Sequence, residues 1–289
     1  MDKKQADACF FYSAFLSDSV LVMFTIELIF LLIFIGAATG AAFASVHVSP
    51  ALIAIPTIGF FLPVFGLSFS EYVLPIVATC ITAFIPTHLY SWIQAMRRQD
   101  VDSQCLIYFA PGVAMGAVIG AQLLSITNLL TFKVAFSLIA LMAVINAVFD
   151  MRQRQKTISL FNRLGRLPTG LFIGVLSLLS GNGGGVLARS LCTQKNITSK
   201  NQQGTIDGLV VFASIAGMVG FIYPAQTINN LDESGFAGAI HLPSMLILAC
   251  CHGFFYWLCR HQNSRLDKNV LLISFMIFIA CSAMRMWFL

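Results

Sequence analysis

Apolar runs long enough to cross a bilayer alternate with short polar or basic segments along the whole chain. The first run, about Leu21–Ala44, carries Gly36-x-x-x-Gly40 and stops at Val46-His-Val-Ser-Pro50. Ala51–Phe65 follows with Pro56 and Pro63 inside it, then Val73–Met96, which ends at Arg97-Arg98. Leu106–Ser125 carries Gly112, Gly116 and Gly120 at four-residue spacing, and Leu130–Phe149 comes next. Small residues spaced by four let two helices approach closely. Beyond a polar, basic stretch at Asp150–Arg166, the pattern resumes with Leu167–Ser180, a glycine-rich break, a short run to Thr193 and a polar patch at Gln194–Gln203. Ile206–Tyr223, a loop at Pro224–Gly238, Ala239–Cys259, a basic loop and Val270–Phe288 complete the chain. A run of roughly 20 apolar residues spans the hydrocarbon core as a helix. The pattern predicts an all-α, polytopic membrane protein with about eight to ten hydrophobic helices, broken or re-entrant segments included.

The second half repeats the first. Gly36 and Gly40 fall on Gly170 and Gly174 at an offset of 134, and the same offset carries Ser49-Pro50-Ala51 onto Gly183-Gly184-Gly185. Pro111 falls on Pro243 at an offset of 132. Residues 1–149 therefore read as an N-terminal repeat, 150–166 as a basic linker and 167–289 as a C-terminal repeat. The segments 97–103, 150–166 and 260–268 hold ten of the seventeen Lys and Arg residues, which places them in the cytoplasm. The segments 66–72, 126–129 and 224–238 hold none, and carry Glu71, Asp232 and Glu233. An odd number of crossings per half turns the second repeat upside down, the plan of many secondary transporters with a site at the repeat interface.

Composition narrows the class. Charged residues make up 10% of the chain and hydrophobic ones 58%, against roughly 25% charged in soluble domains. The net charge of +5 comes from loop residues and implies no nucleic-acid partner. Residues 1–20 lack the run and cleavage site of a signal peptide. Cys80, Cys250, Cys251 and Cys281 lie in apolar runs as small hydrophobes, and no Cys/His spacing calls for a metal or other cofactor.

Candidate chemistry centres on Ser180-Gly-Asn-Gly-Gly-Gly-Val-Leu-Ala-Arg189. Each glycine costs about 1 kcal/mol in a helix relative to alanine, so Gly183–Gly185 ends one helix and starts another. Freed backbone groups at membrane depth must face protein or a wet cavity, and the amides that open the second half-helix form an anion site. An oxyanion in a low-dielectric site exchanges water for protein donors. Those at hand are the amides of Gly183, Gly184, Gly185 and Val186, the Asn182 side chain, the Ser180 and Ser190 hydroxyls and Arg189, which can grip an oxyanion with two N–H groups. A plain glycine contact with a snorkelling Arg189, or an Arg189–Asp207 pair, is the alternative. Across from this loop, the first break offers His47, Ser49 and the amides after Pro50. His47 is a substrate donor or proton carrier, or else a structural residue. Glu27, His88, Thr205 and Asp207 are polar residues in or near apolar spans and are the candidates for coupling or gating, with Asp207 foremost for a proton. A solvated helix end is the alternative for Asp207, and Lys133 and Arg285 lie near helix ends where they snorkel.

Gly170-x-x-x-Gly174, Gly181-Asn-Gly-Gly-Gly185 and the doubled plan resemble the sulfite exporter TauE/SafE family of membrane transporters, over nearly all of residues 20–289. Each half in that family opens with a glycine-spaced helix, a small-residue loop and a proline. Here the first loop, His47-Val-Ser-Pro-Ala51, lacks the glycine triplet but keeps Pro56, and Ser190 stands where proline is usual. The resemblance implies secondary transport of a small anion, sulfur-containing (sulfite, a sulfonate, sulfoacetate) or a small carboxylate, across a bacterial-type cytoplasmic (inner) membrane. Absence of a GxxxxGK[ST] motif leaves an electrochemical gradient as the energy source, proton coupling included. A passive anion channel or non-transporting membrane subunit is the alternative; an embedded enzyme would need a cluster of catalytic groups, and the spans show none. Substrate, direction, coupling ion and oligomeric state stay open.

Overall fold

The computed structural model describes residues 26–151, 165–195, 197–225, 235–261 and 268–287. The signal-peptide question, most of the basic linker and the acidic pair at 232–233 lie outside them. Ten α-helices make up the fold of the described residues: α1 (Ile26–Val46), α2 (Ala51–Phe61), α3 (Phe69–Arg97), α4 (Ser103–Ile126), α5 (Leu129–Met151), α6 (Arg166–Leu179), α7 (Gly185–Gln194), α8 (Ser199–Ile222), α9 (Leu242–His261) and α10 (Lys268–Met286). Six of them (α1, α3, α4, α5, α8 and α9) are long and apolar enough to cross a membrane, while α2, α6 and α10 are shorter apolar helices. The chain is a multi-pass membrane protein.

Local chemistry sets several boundaries. Gly66, in the left-handed region at φ 70°, stops the 3₁₀ turn Leu62–Phe65 that prolongs α2. Asp102 caps α4 by accepting the Cys105 N–H at 2.9 Å. α8 begins seven residues ahead of the apolar run Ile206–Tyr223. The polar patch joins the helix because its side chains bond along it: Thr205 Oγ1 donates to the Asn201 carbonyl and Gln203 Nε2 to Asp207. The departure from helix is a hairpin of two-residue strands, β1 (Phe236–Ala237) and β2 (Ile240–His241), turned at Gly238 with φ 61°. It docks on α3 through the His241 N–H, which donates to Thr79 Oγ1 at 3.1 Å.

α3 and α8 form the centre. In each, 67% of the apolar stretch is buried, against 22% in α5 and 17% in α9, whose outer faces suit acyl chains. α3 packs on α8 and α9, α4 on α6 and α8, α10 on α5 and α2, and α7 on α8. Two contacts are backbone to backbone. Gly112, Gly116 and Gly120 of α4 touch α6 at Leu167, Leu171 and Val175, and Gly170 and Gly174 of α6 touch α4 at Phe109 and Val113. Gly36 and Gly40 of α1 touch α9 at Cys251 and His252.

Candidate functional site

The break between α6 and α7 is built from glycines in the left-handed region. α6 ends in a Schellman motif: Gly181, at φ 70°, donates its N–H to the Leu178 carbonyl, and the Asn182 N–H reaches back to the Ser177 carbonyl. Gly183 at φ 67° and Gly184 at φ 104° then turn the chain into α7. The first intrahelical bond of α7 runs from the Ala188 N–H to the Gly184 carbonyl, so the amides of Gly185, Val186 and Leu187 have no partner within the helix. A methyl group at Gly184 would meet nothing closer than Ser177 Oγ at 3.7 Å. Gly184→Ala should therefore cost only the left-handed backbone penalty, about 1–2 kcal/mol, as a lowered unfolding midpoint in detergent; an unchanged midpoint would show that the loop relaxes freely.

The other break lies against it. His47, directly after α1, has φ 51°, an uncommon value for a residue with a side chain, and Pro50 stands at the N-cap of α2. Ser49 Oγ donates to the Asn182 carbonyl at 3.0 Å, tying one break to the other. Where the breaks meet lies a cavity of about 60 Å³, room for about four to six water-sized probes. His47, Ser49, Gly185 and Arg189 line it, as do His88 of α3 and Asp207 of α8. Arg189, one turn into α7 and half-buried, donates to the His47 carbonyl at 3.4 Å and to Gln203 Oε1 at 3.3 Å.

Three donors converge on Asp207, which is 1% exposed. Ser91 Oγ donates to Oδ2 at 2.6 Å, while His88 Nδ1 and Gln203 Nε2 each approach Oδ1 at 3.2 Å. A carboxylate accepts all three. Gln203 also takes the Arg189 contact, so cation and acid are bridged through one amide.

The remaining candidates lie elsewhere. Thr205 is buried at the start of α8, where its hydroxyl oxygen accepts the Asp102 N–H at 2.9 Å and so positions α4. Glu27 is exposed on the first turn of α1. Ser190 is held by Asn146 Nδ2 at 2.8 Å. Asn182, Gly183, Gly184 and Pro50 do not border the cavity. Asn182 is nonetheless buried with neither side-chain atom partnered among the described residues, and the Ser177 hydroxyl beside it is in the same condition. Ser91 and Gln203 were not singled out in the sequence, although Ser91 is three residues after His88 and Gln203 four before Asp207, the spacings that put side chains on one helix face.

The chain matches the model of the family described as Sulfite exporter TauE/SafE over residues 26–286. It belongs to that family. This TauE/SafE chain is accordingly a membrane transporter, and the match runs through both breaks and the helices that frame the cavity. No curated protein and no solved structure matches significantly.

Proposed function

We propose that this TauE/SafE chain is a secondary transporter of a small sulfur-containing oxyanion or small carboxylate, bound where the two helix breaks meet. The cavity walled by Arg189, the start of α7 and the His47–Ser49 break carries this reading. Arg189 supplies a two-pronged donor, the α7 amides supply partial positive charge, and the volume suits an anion of a few heavy atoms. Asn182 and Ser177, buried without partners among the described residues, are the donors an anion would meet next. An unpartnered buried polar group costs about 1–3 kcal/mol, and a passing ligand relieves that cost. The substrate leaves its water for these groups, so selectivity follows the number and placement of its oxygens.

Two inverted repeats, α1–α5 and α6–α10, would provide alternating access. Exchanging the halves interchanges the two backbone contacts, α1 on α9 with α6 on α4, and likewise α3 on α9 with α8 on α4. The cavity borders the C-terminal ends of α1 and α5 and the N-terminal ends of α8 and α10. Arg97, Lys195, Lys200 and Arg260 sit at adjoining helix ends, so this side is the cytoplasmic one by the distribution of basic residues. The opposite side is closed over Gly181 by Ile55, Val77 and Phe132, backed by Phe69 and Phe136. This is an inward-facing arrangement in a bacterial-type inner membrane. His88 and Asp207, adjoining the anion's cavity, are the groups that would exchange a proton with it.

The test is uptake of labelled sulfite, sulfonates and small carboxylates into proteoliposomes, with and without a pH gradient. Saturable flux that Arg189→Ala lowers by about tenfold or more, the loss of one charged hydrogen bond of roughly 1.5–3 kcal/mol, is expected. Arg189→Lys keeps the charge but not the two-pronged contact and should fall between. Unchanged flux in Arg189→Ala removes the guanidinium from the site; flux that never saturates makes the protein a channel.

A further inference from the structure

His252 lies in the middle of α9, 0% exposed, at the contact with α1. Gly40 is one of the residues that make room for it: a Cβ there would sit 2.5 Å from the His252 carbonyl oxygen. Between Gly36 and Gly40 stands Thr39, whose Oγ1 is 3.0 Å from His252 Nδ1 and 2.7 Å from the Ile35 carbonyl. A hydroxyl has one proton to donate. With that proton on the Ile35 carbonyl, Thr39 can only accept from His252. The imidazole therefore carries its proton on Nδ1 and holds a bare lone pair at Nε2. That nitrogen is buried and has no partner among the described residues. Aromatic rings surround it, Phe84 at 4.7 Å and Phe43 at 6.1 Å between ring centroids. Phe43 also contacts the His88 ring, at 4.5 Å, so a single phenyl group touches both imidazoles.

We infer that His252 is a second proton-binding site, and that its protonated form and the closed α1–α9 contact exclude one another. The step is a simple acid–base one: a proton from water adds to the Nε2 lone pair and leaves by the same route, with no other bond made or broken. The resulting imidazolium would be a cation without a carboxylate beside it among the described residues. The facing stretch of α1, Gly36–Phe43, has no titratable side chain. α9 offers Cys251 and Tyr256, the latter already bonded to Arg260 at 2.9 Å. α3 offers His88, itself bound to Asp207 of α8. An isolated buried charge is far more costly than any hydrogen bond returns, so the proton is retained only when the contact opens and water reaches Nε2. Protonation thus selects the state in which α1 has parted from α9. Where α4 meets α6, the positions against the glycines are glycine, alanine, leucine, valine and phenylalanine, and none of these side chains titrates. One of the two backbone contacts responds to protons and the other holds.

The role of this site in driving transport rests on the transport reading above, but proton binding can be measured without it. Cys251 provides the reporter, because a Cβ on Gly36 would fall 2.7 Å from the Cys251 Cβ. In protein keeping Cys251 as its sole cysteine, the rate of maleimide labelling in lipid vesicles is divided by that of the same protein with His252→Gln at each pH, which cancels the reagent's own pH dependence. That ratio should rise about fourfold as the pH falls from about 8 to about 6, most of it below about pH 7, because an imidazole in water has an ordinary pKa of about 6.5. Thr39→Val, which keeps the imidazole, should still respond. A flat ratio overturns the inference, and so does loss of the response in Thr39→Val, because packing and not the imidazole would then control the contact. Uphill accumulation of anion under a pH gradient should be lost in His252→Gln. Should no anion be carried by the wild-type protein, the transport reading fails while the labelling result stands or falls by itself.

Discussion

Asp207→Asn is expected to leave the protein folded and to abolish anion flux driven by a pH gradient, whereas Asp207→Ala should sharply lower its thermal stability. The difference follows from the three donors around one buried carboxylate, Ser91 on Oδ2 and His88 with Gln203 on Oδ1. Asparagine keeps a carbonyl oxygen for His88 and Gln203, and its amide can face Ser91, whose hydroxyl turns from donor to acceptor. The fold then loses a charge but few hydrogen bonds, within about 2 kcal/mol. Alanine strands His88, Ser91 and Gln203 together, and removing one partner of a buried ionic cluster costs about 3–5 kcal/mol. Thermal unfolding in detergent separates the two variants, and proteoliposome flux with and without a pH gradient tests the role. Asparagine cannot carry a proton between His88 and the cavity. Gradient-driven flux at the wild-type rate in Asp207→Asn would make this cluster a structural device only.

The same residues show what the sequence discloses and what it withholds. The helix break at 180–185 is plain from composition, because three adjacent glycines in an apolar segment admit few other conformations. The break at 46–50 shows in its Ser-Pro pair, and the offset of 134 pairs the two. Their meeting in space is carried by Ser49 bonding to the Asn182 carbonyl, a long-range contact that no local pattern encodes. Asp207 stands out as an acid in an apolar run. Its burial does not, because that depends on α3 lying across it. Thr205 is equally polar and two residues away, yet it faces the start of α4. One hundred degrees per residue is enough to separate a cavity group from a structural one, and only packing fixes the phase.

His252 is the clearest omission. It follows Cys250-Cys251 in a run that reads as apolar filler, and its partner Thr39 is a threonine among alanines and glycines. Each is unremarkable alone; together they make a buried, half-satisfied imidazole. The glycine stripes illustrate the same limit from the packing side. Four-residue spacing announces that a backbone will come close, without saying which one. Gly112, Gly116 and Gly120 meet α6, and Gly36 with Gly40 meets α9, so each stripe docks on a helix that its own spacing does not name.

Gly116→Ala should be more damaging than its single added methyl suggests. The added Cβ would overlap the Leu171 carbonyl of α6, and one on Gly174 would overlap the Val113 carbonyl of α4. Neither obstacle is a side chain that can turn away; each is backbone inside a helix, so relief requires moving α6 as a body. Separating the two helices forfeits dispersion along the whole contact, since a gap of even 0.5–1 Å removes roughly a quarter to a half of each pairwise attraction. A loss of about 3 kcal/mol is expected, the upper end of overpacking costs. Gly184→Ala is the useful contrast: strained backbone but open space there, helical backbone but no space here. A second substitution at Gly174 should add less than its own individual cost, because a Cβ at Gly174 would lie 2.9 Å from the Gly116 carbonyl carbon and so probes the same gap. Unfolding midpoints for the two single variants and the double decide the matter. A wild-type midpoint for Gly116→Ala would mean that α4 and α6 are not in backbone contact, and full additivity in the double would mean that the two glycines serve separate contacts.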